Sequence, residues 1–335
     1  MSDRVKSSLK FILFFGIGVL LMYFAFRNIN LHQMLSDLGQ AHFQWVGLSL
    51  VFSIIALFSR SYRWGMLIEA SGKKPKLRNL FYSVCSGYIA NLAFPRLGEV
   101  TRCTALYEVE GNSFDLLVGT VIAERVIDFV TLLVLIFITL VSNLQLFGHF
   151  FSDLFHKKLS FLSSIHTSVF IIIAAFLLFF IFLLYLSRQR LKKLSFFVKI
   201  IHFLKGIVQG LQSVLKLKNR LAFLFHSVFI WFLYYLSTYV SFQTIAETND
   251  LGFSAALFIL VLGGLGMSAP VQGGLGAYHL LVAAGLALYG LDANKGYLFA
   301  TIALSSQWLL ILVLGVVSIV MLNVEKRRQL QNEKT

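Results

Sequence analysis

Charge is scarce in this chain. Aspartate, glutamate, lysine and arginine make up 13% of its 335 residues, about half the share in a soluble domain. With 58% hydrophobic residues and a mean hydropathy of +0.79, that shortage argues against a water-soluble globule. Cysteine is scarcer still. Cys85 and Cys103 offer neither a disulfide framework nor a metal-ligand spacing, and they read as small apolar packing residues. The alternating ten-residue segments of a β-barrel are missing. So are H-E-x-x-H, G-x-S-x-G, a loop-facing D-x-D and the phosphate loop G-x-x-x-x-G-K-[ST]. No catalytic residue, metal or cofactor is therefore assigned, and the chain is not expected to be an enzyme. Acidic residues number 15 against 29 basic ones, for a formal charge of +14. The basic residues lie between hydrophobic runs, so the positive-inside rule accounts for them without nucleic acid.

What the chain has in quantity is apolar runs near the ~20 residues that cross a bilayer. They fall at 11–26, 44–60, 116–142, 167–187, 221–243 and 297–322. Arg4, Lys6 and Lys10 ahead of the first run resemble a signal peptide's start. No small-x-small cleavage site follows, so this run reads as a retained helix. Two further stretches, 79–113 and 253–291, carry a proline and glycines at their centres.

Twenty-two of the 29 Lys and Arg residues fall before the first run, in 60–78, in 188–220 or after 322, and must share the cytoplasmic side. Stretch 79–113 then begins and ends inside, and 253–291 begins and ends outside. With arms of about 16 residues, each reads as a re-entrant helical hairpin with its tip near mid-bilayer. Two short full crossings would give the same sidedness. The expected fold is thus an all-α polytopic membrane protein with about six full transmembrane helices and two re-entrant hairpins. They form an inverted-topology repeat within a single domain spanning 1–335, its halves at about 9–142 and 165–323. Both termini are expected to lie in the cytoplasm. The basic segment 188–220 carries a helical apolar stripe and suits the anionic cytoplasmic leaflet. A plain orienting loop is the other reading.

The second stretch reads "GGLGMSAPVQGGLGAYH" and holds six of the chain's 24 glycines. Gly264 to Ala269 match G-x-G-x-x-A, but no strand or βαβ unit frames them. Gly263, Gly264 and Gly266 suit close helix packing. Pro270 with Gly273, Gly274 and Gly276 breaks the helix and bares backbone, tolerated at membrane depth only against protein or a watery cavity. Gln272 and His279 complete this tip, as interhelical hydrogen-bonders or as working groups.

The first tip reads "NLAFPRLGEVTR", and the following run opens "TVIAERVIDFV". Arg96, Glu99, Arg102, Glu124, Arg125 and Asp128 would together cost on the order of 15–20 kcal/mol if unpaired at the bilayer centre. They must pair, face water, or both. A structural ion-pair network is one reading. The other is an anion site, with Asn91 nearby and arginine forks suited to phosphate. Arg60 and Arg63 in "RSYRWGML" read as interfacial anchors or as a headgroup entrance.

"RSYRWGML", "NLAFPRLGEVTRCTAL", "ERVIDF" and "APVQGGLGAYH", in this order, resemble the transmembrane domain of the lysylphosphatidylglycerol synthase/flippase family. The resemblance covers about 10–322. It implies a flippase-like domain without the cytosolic lysyl-transferase, acting on a membrane phospholipid or a lipid-linked, polyprenyl-phosphate substrate. It also implies motif roles for Arg96, Glu99, Arg102, Glu124, Arg125 and Asp128. Where many members carry Glu, this chain has His279, which bears on headgroup preference. The expected substrate contacts are those residues with Arg60, Arg63, Asn91, Gln272, Gly273, Gly274 and His279. An intramembrane headgroup-modifying enzyme and a non-transporting scaffold of a lipid or glycan pathway are the alternatives.

Overall fold

A computed structural model of the chain describes residues 16–27, 29, 31–70, 74–142 and 217–332. The expected run at 167–187 and the basic segment 188–220 up to residue 216 lie outside them. No strand occurs among the described residues. The helices are α1 (Gly16–Phe26), α2 (Leu31–Leu38), α3 (Phe43–Glu69), α4 (Leu77–Ala93), α5 (Leu97–Glu110) and α6 (Phe114–Ser142), then α7 (Arg220–Ser241), α8 (Phe253–Ser268), α9 (Ala277–Ala287) and α10 (Ala293–Asn332). Among the described residues, three segments are long and apolar enough to cross a membrane: Phe43–Glu69, Arg220–Thr244 and Ala293–Gln329. α6 has 29 residues and the same reach, about 43 Å. Its four charged side chains all lie in its first fifteen residues. The protein is an integral membrane protein.

Several helices outrun their hydropathy signal. The run read at 44–60 continues as helix to Glu69, carrying Arg60 and Arg63 past the apparent end of the span. α10 likewise extends from Ala293 to Asn332.

Both irregular stretches fold as helical hairpins. In the first, Pro95 and a left-handed Arg96 (φ 65°) separate α4 from α5. Asn91 receives the Gly98 N–H at 2.7 Å, satisfying an open amide of the α5 N-terminus. The two helices cross at Gly87 and Gly98. A Cβ on Gly87 would stand 2.7 Å from the Gly98 carbonyl oxygen, so only glycine allows that approach. Gly111, also left-handed, ends α5 with its N–H on the Tyr107 carbonyl. In the second hairpin, Pro270 follows α8, and Gly273, Gly274 and Gly276 all take positive φ before α9. A Cβ on Gly276 would press within 2.6 Å of Leu21 Cβ, because α1 lies against this tip.

The hairpins are rooted at opposite ends of the molecule, with the long α10 as their common ruler. Near the C-terminal end of α10, Glu325 pairs with Lys76 and Arg78 ahead of and within α4, and Lys326 pairs with Glu108 in α5. At its other end, Lys295 bridges Asp37 at 2.9 Å and Glu247 at 2.8 Å. Between them, Gly315 packs on Ile89, and the Trp308 indole N–H donates to the Gly273 carbonyl at 3.1 Å. The two tips meet there: a Cβ on Gly273 would stand 2.9 Å from Leu92 Cδ2. α5 and α8 measure about 21 and 24 Å, together roughly the length of α6. Both breaks therefore lie near the middle of the molecule. One apolar core surrounds Trp64, Val84 and Leu106 at the root of the first hairpin. Another surrounds Phe242, Val282 and Leu298 at the root of the second.

Candidate functional site

Beside the first hairpin, three helices bring five charged side chains into one buried network. Arg60 and Arg63 lie one turn apart on α3, and Glu124 and Asp128 one turn apart on α6, so each pair shares a helix face. Arg102 comes from α5, held against Gly87 where α4 and α5 cross. Arg60 Nη2 stands 2.6 Å from Glu124 Oε1 and 2.8 Å from Asp128 Oδ2. Arg63 Nη2 stands 3.3 Å from Glu124 Oε1 and 2.6 Å from Asp128 Oδ1. Arg102 Nη2 is 2.9 Å from Glu124 Oε2.

Burial is nearly complete. Side-chain exposure is 6% for Arg60, 0% for Arg63, 4% for Arg102 and 0% for Glu124, with Asp128 at 15%. Counted along their helices from the Glu69–Glu110–Phe114 end, the five residues lie between about 9 and 21 Å deep. Around the ions stand aromatic and hydroxyl groups. The Arg102 guanidinium sits 4.8 Å from the Trp64 ring centroid, Arg60 5.8 Å from Tyr88 and Arg63 5.9 Å from Phe223. Trp64 donates to Thr120 Oγ1 at 3.0 Å, and Arg63 Nη1 to Ser227 Oγ at 3.3 Å. Ser59 and His226 are joined at 2.8 Å between Oγ and Nδ1.

Three guanidinium groups face two carboxylates. With all five ionised, the network carries one net positive charge in a setting where an uncompensated ion costs several kcal/mol. Its hydrogen bonding is also incomplete. The Nε atoms of Arg60, Arg63 and Arg102 are buried without a partner. A tetrahedral oxyanion would supply both the missing charge and acceptors.

The sequence-predicted residues separate into four places. Arg60, Arg63, Arg102, Glu124 and Asp128 converge. Arg60 and Arg63 do so deep in the protein, which replaces the interfacial-anchor reading: α3 continues past them, and Glu124 and Asp128 face them. Arg125 and Glu99 pair with each other at 3.1 Å on the protein's outer surface. Arg96 is exposed at the tip and pairs with no described carboxylate. Asn91 caps α5. Gln272 and His279 are buried at the second tip, where both Gln272 amide atoms and His279 Nδ1 lack a partner. His279 packs edge-on against Phe26, and Gly273 and Gly274 form the turn beside them. Tyr88, Ser227 and Trp308 escaped sequence reasoning, and Trp308 gave no local signal at all. Trp64, which beside Arg60 and Arg63 suited an interfacial anchor, is instead fully buried against Arg102.

No group of three or more His, Cys, Asp or Glu suited to a metal occurs among the described residues. In comparison with known families, the model described as the lysylphosphatidylglycerol synthase TM region matches residues 10–315. No curated protein and no solved structure matches the chain.

Proposed function

For a chain that belongs to the lysylphosphatidylglycerol synthase transmembrane-region family, we propose movement of an anionic lipid between leaflets, with the buried arginine network receiving its phosphate. The lipid is an anionic phospholipid or a polyprenyl-phosphate-linked molecule. The observation that carries this reading is the imbalance of three buried guanidinium groups against two carboxylates, with three unpartnered Nε atoms. A network serving only to hold helices together would be expected to close its charge and its hydrogen bonds.

The reading places both hairpins as re-entrant elements in an inverted repeat, and their rooting at opposite ends of α10 supports it. So does the matching order of elements. In α3–α6 and again in α7–α10, a long helix, two short ones and a long one follow in turn. The end bearing Lys76, Arg78, Lys326, Arg327 and Arg328 is assigned to the cytoplasm of a bacterial inner membrane, with both termini there. Alternating access then amounts to rocking about the Leu92–Gly273–Trp308 contact, which closes the middle of the molecule.

The test is reconstitution in liposomes containing fluorescent phosphatidylglycerol, with reduction of the outer-leaflet dye reporting exchange. Wild-type protein should expose inner-leaflet dye, and Arg102→Gln should not while remaining monodisperse. Equal exchange by Arg102→Gln would remove the network from the transport path. Conversion of the lipid to a new chemical species would favour a headgroup-modifying enzyme instead.

A further inference from the structure

The buried network leaves one cluster of charges unexplained. Arg125 and Glu99, paired at 3.1 Å, keep 43% and 28% of their side chains exposed. Arg96, within one turn of Glu99 at the start of α5, is exposed as well. One Glu99 carboxylate oxygen is buried without a hydrogen-bond partner. These groups are not at the molecule's ends. Arg125 is three residues from the middle of the 29-residue α6, about 5 Å along its axis. Arg96 and Glu99 flank the tip, which touches the second hairpin through Leu92 and Gly273. Their neighbours are greasy: Phe94, Leu97, Ile122 and Leu133 are all exposed. On α6, Ile122, Arg125 and Leu133 fall on one helical face.

In a bilayer oriented as above, such a surface faces hydrocarbon at mid-depth. An exposed charge there needs water or a polar group beside it. Two guanidinium groups against one carboxylate leave a net positive charge. The surrounding apolar side chains suit acyl chains, and arginine forks suit a phosphodiester. We propose that Arg96, Glu99 and Arg125 form a lateral station for the phosphate of an anionic lipid, open to the side of the protein beside the buried arginine network. A headgroup would pause there midway, its acyl chains remaining in the bilayer along Phe94, Leu97 and Ile122. This inference rests on the transport reading's placement of α3–α6 across the membrane.

Both cysteines among the described residues, Cys85 and Cys103, are buried, so an introduced cysteine can be read directly. Full-length Val100→Cys protein, one turn from Arg96, with Ile122→Cys, one turn from Arg125, as a second probe, leaves both arginines in place; each is reconstituted in phosphatidylcholine liposomes and treated with a charged, membrane-impermeant thiol reagent. Leu133→Cys, on the same α6 face but away from the tip, serves as the hydrocarbon control. The station predicts labelling at positions 100 and 122 and none at 133. Phosphatidylglycerol should slow that labelling about ten-fold once it exceeds ten times its dissociation constant. Inorganic phosphate at matched ionic strength should leave the rate unchanged. Absence of labelling at 100 and 122 overturns the proposal. Labelling indifferent to phosphatidylglycerol overturns it too, leaving a water-filled notch. Protection by inorganic phosphate alone overturns its lipid assignment. Dye exchange in the same liposomes keeps the two readings apart. Protected labelling without exchange leaves the station standing and sinks transport, and exchange without labelling does the reverse.

Discussion

Glu124→Gln is the sharpest perturbation of the buried network. Glu124 is fully buried and alone touches all three arginines, at 2.6 Å from Arg60, 3.3 Å from Arg63 and 2.9 Å from Arg102. Glutamine keeps the shape but removes the charge, so one carboxylate, Asp128, would face three guanidinium groups. The net charge of the network rises from one to two. Removing one partner of a buried ion pair costs about 3–5 kcal/mol, chiefly because the remaining charge is left uncompensated. The loss should appear in equilibrium unfolding in mixed detergent micelles, followed by tryptophan fluorescence, since Trp64 lies against Arg102. A second effect distinguishes an anion site from a mere strut. If phosphate occupies the network, phosphatidylglycerol should restabilise the variant, by about 2.7 kcal/mol at a hundred times its dissociation constant. Its effect on Glu124→Gln should exceed that on wild type. A loss below about 1 kcal/mol, the scale of an exposed pair, would refute Glu124 as the shared counterion. A full loss that anionic lipid fails to offset would refute the anion site.

Other parts of the fold give further expectations. Gly98→Leu should separate α4 from α5 at the Gly87 crossing and abolish monodisperse protein on size exclusion, whereas the exposed Thr104→Leu on the same helix should not. Trp308→Phe removes the hydrogen bond to the Gly273 carbonyl. It should lower stability by about 1 kcal/mol and change the rate of dye exchange without abolishing it.

How far the sequence disclosed this arrangement depends on the kind of signal. The two hairpins were legible because proline and clustered glycine interrupt an apolar helix in only a few ways. Their rooting at opposite ends followed from the distribution of Lys and Arg. The membership of the arginine network was only half legible. Hydropathy ends a span at its first cation, so Arg60 and Arg63 looked like the end of a helix that in fact runs on to Glu69. Arg96 and Arg102 stood together in the first tip's motif as candidate phosphate ligands. At the tip, however, the left-handed Arg96 precedes the first turn of α5, while Arg102 lies further along that helix beside Glu124. Asn91 looked like a ligand too, but the opening of α5 needs an acceptor for the Gly98 amide, and Asn91 is within reach. Pairings between residues about 60 positions apart, such as Arg63 with Glu124, depend on how α3 and α6 cross. No local pattern encodes that crossing.

One substitution set separates a transport site from a structural strut. Buried ion clusters replaced as a whole by apolar residues of similar volume often leave stability unchanged or raise it by 1–4 kcal/mol, because the desolvation cost of every ion disappears together. Arg60, Arg63, Arg102, Glu124 and Asp128 form such a set, since each is paired within it. Changing the arginines to methionine, Glu124 to methionine and Asp128 to leucine should therefore give a protein that unfolds no more easily than wild type, unlike the single Glu124→Gln variant. On the strut reading, this repacked protein exchanges lipid normally. On the anion reading it is stable and inactive, because a phosphate crossing hydrocarbon has lost the buried countercharge that the network supplied. Stable, fully active repacked protein would end the case for the network as the transport site, however strongly its single variants behaved.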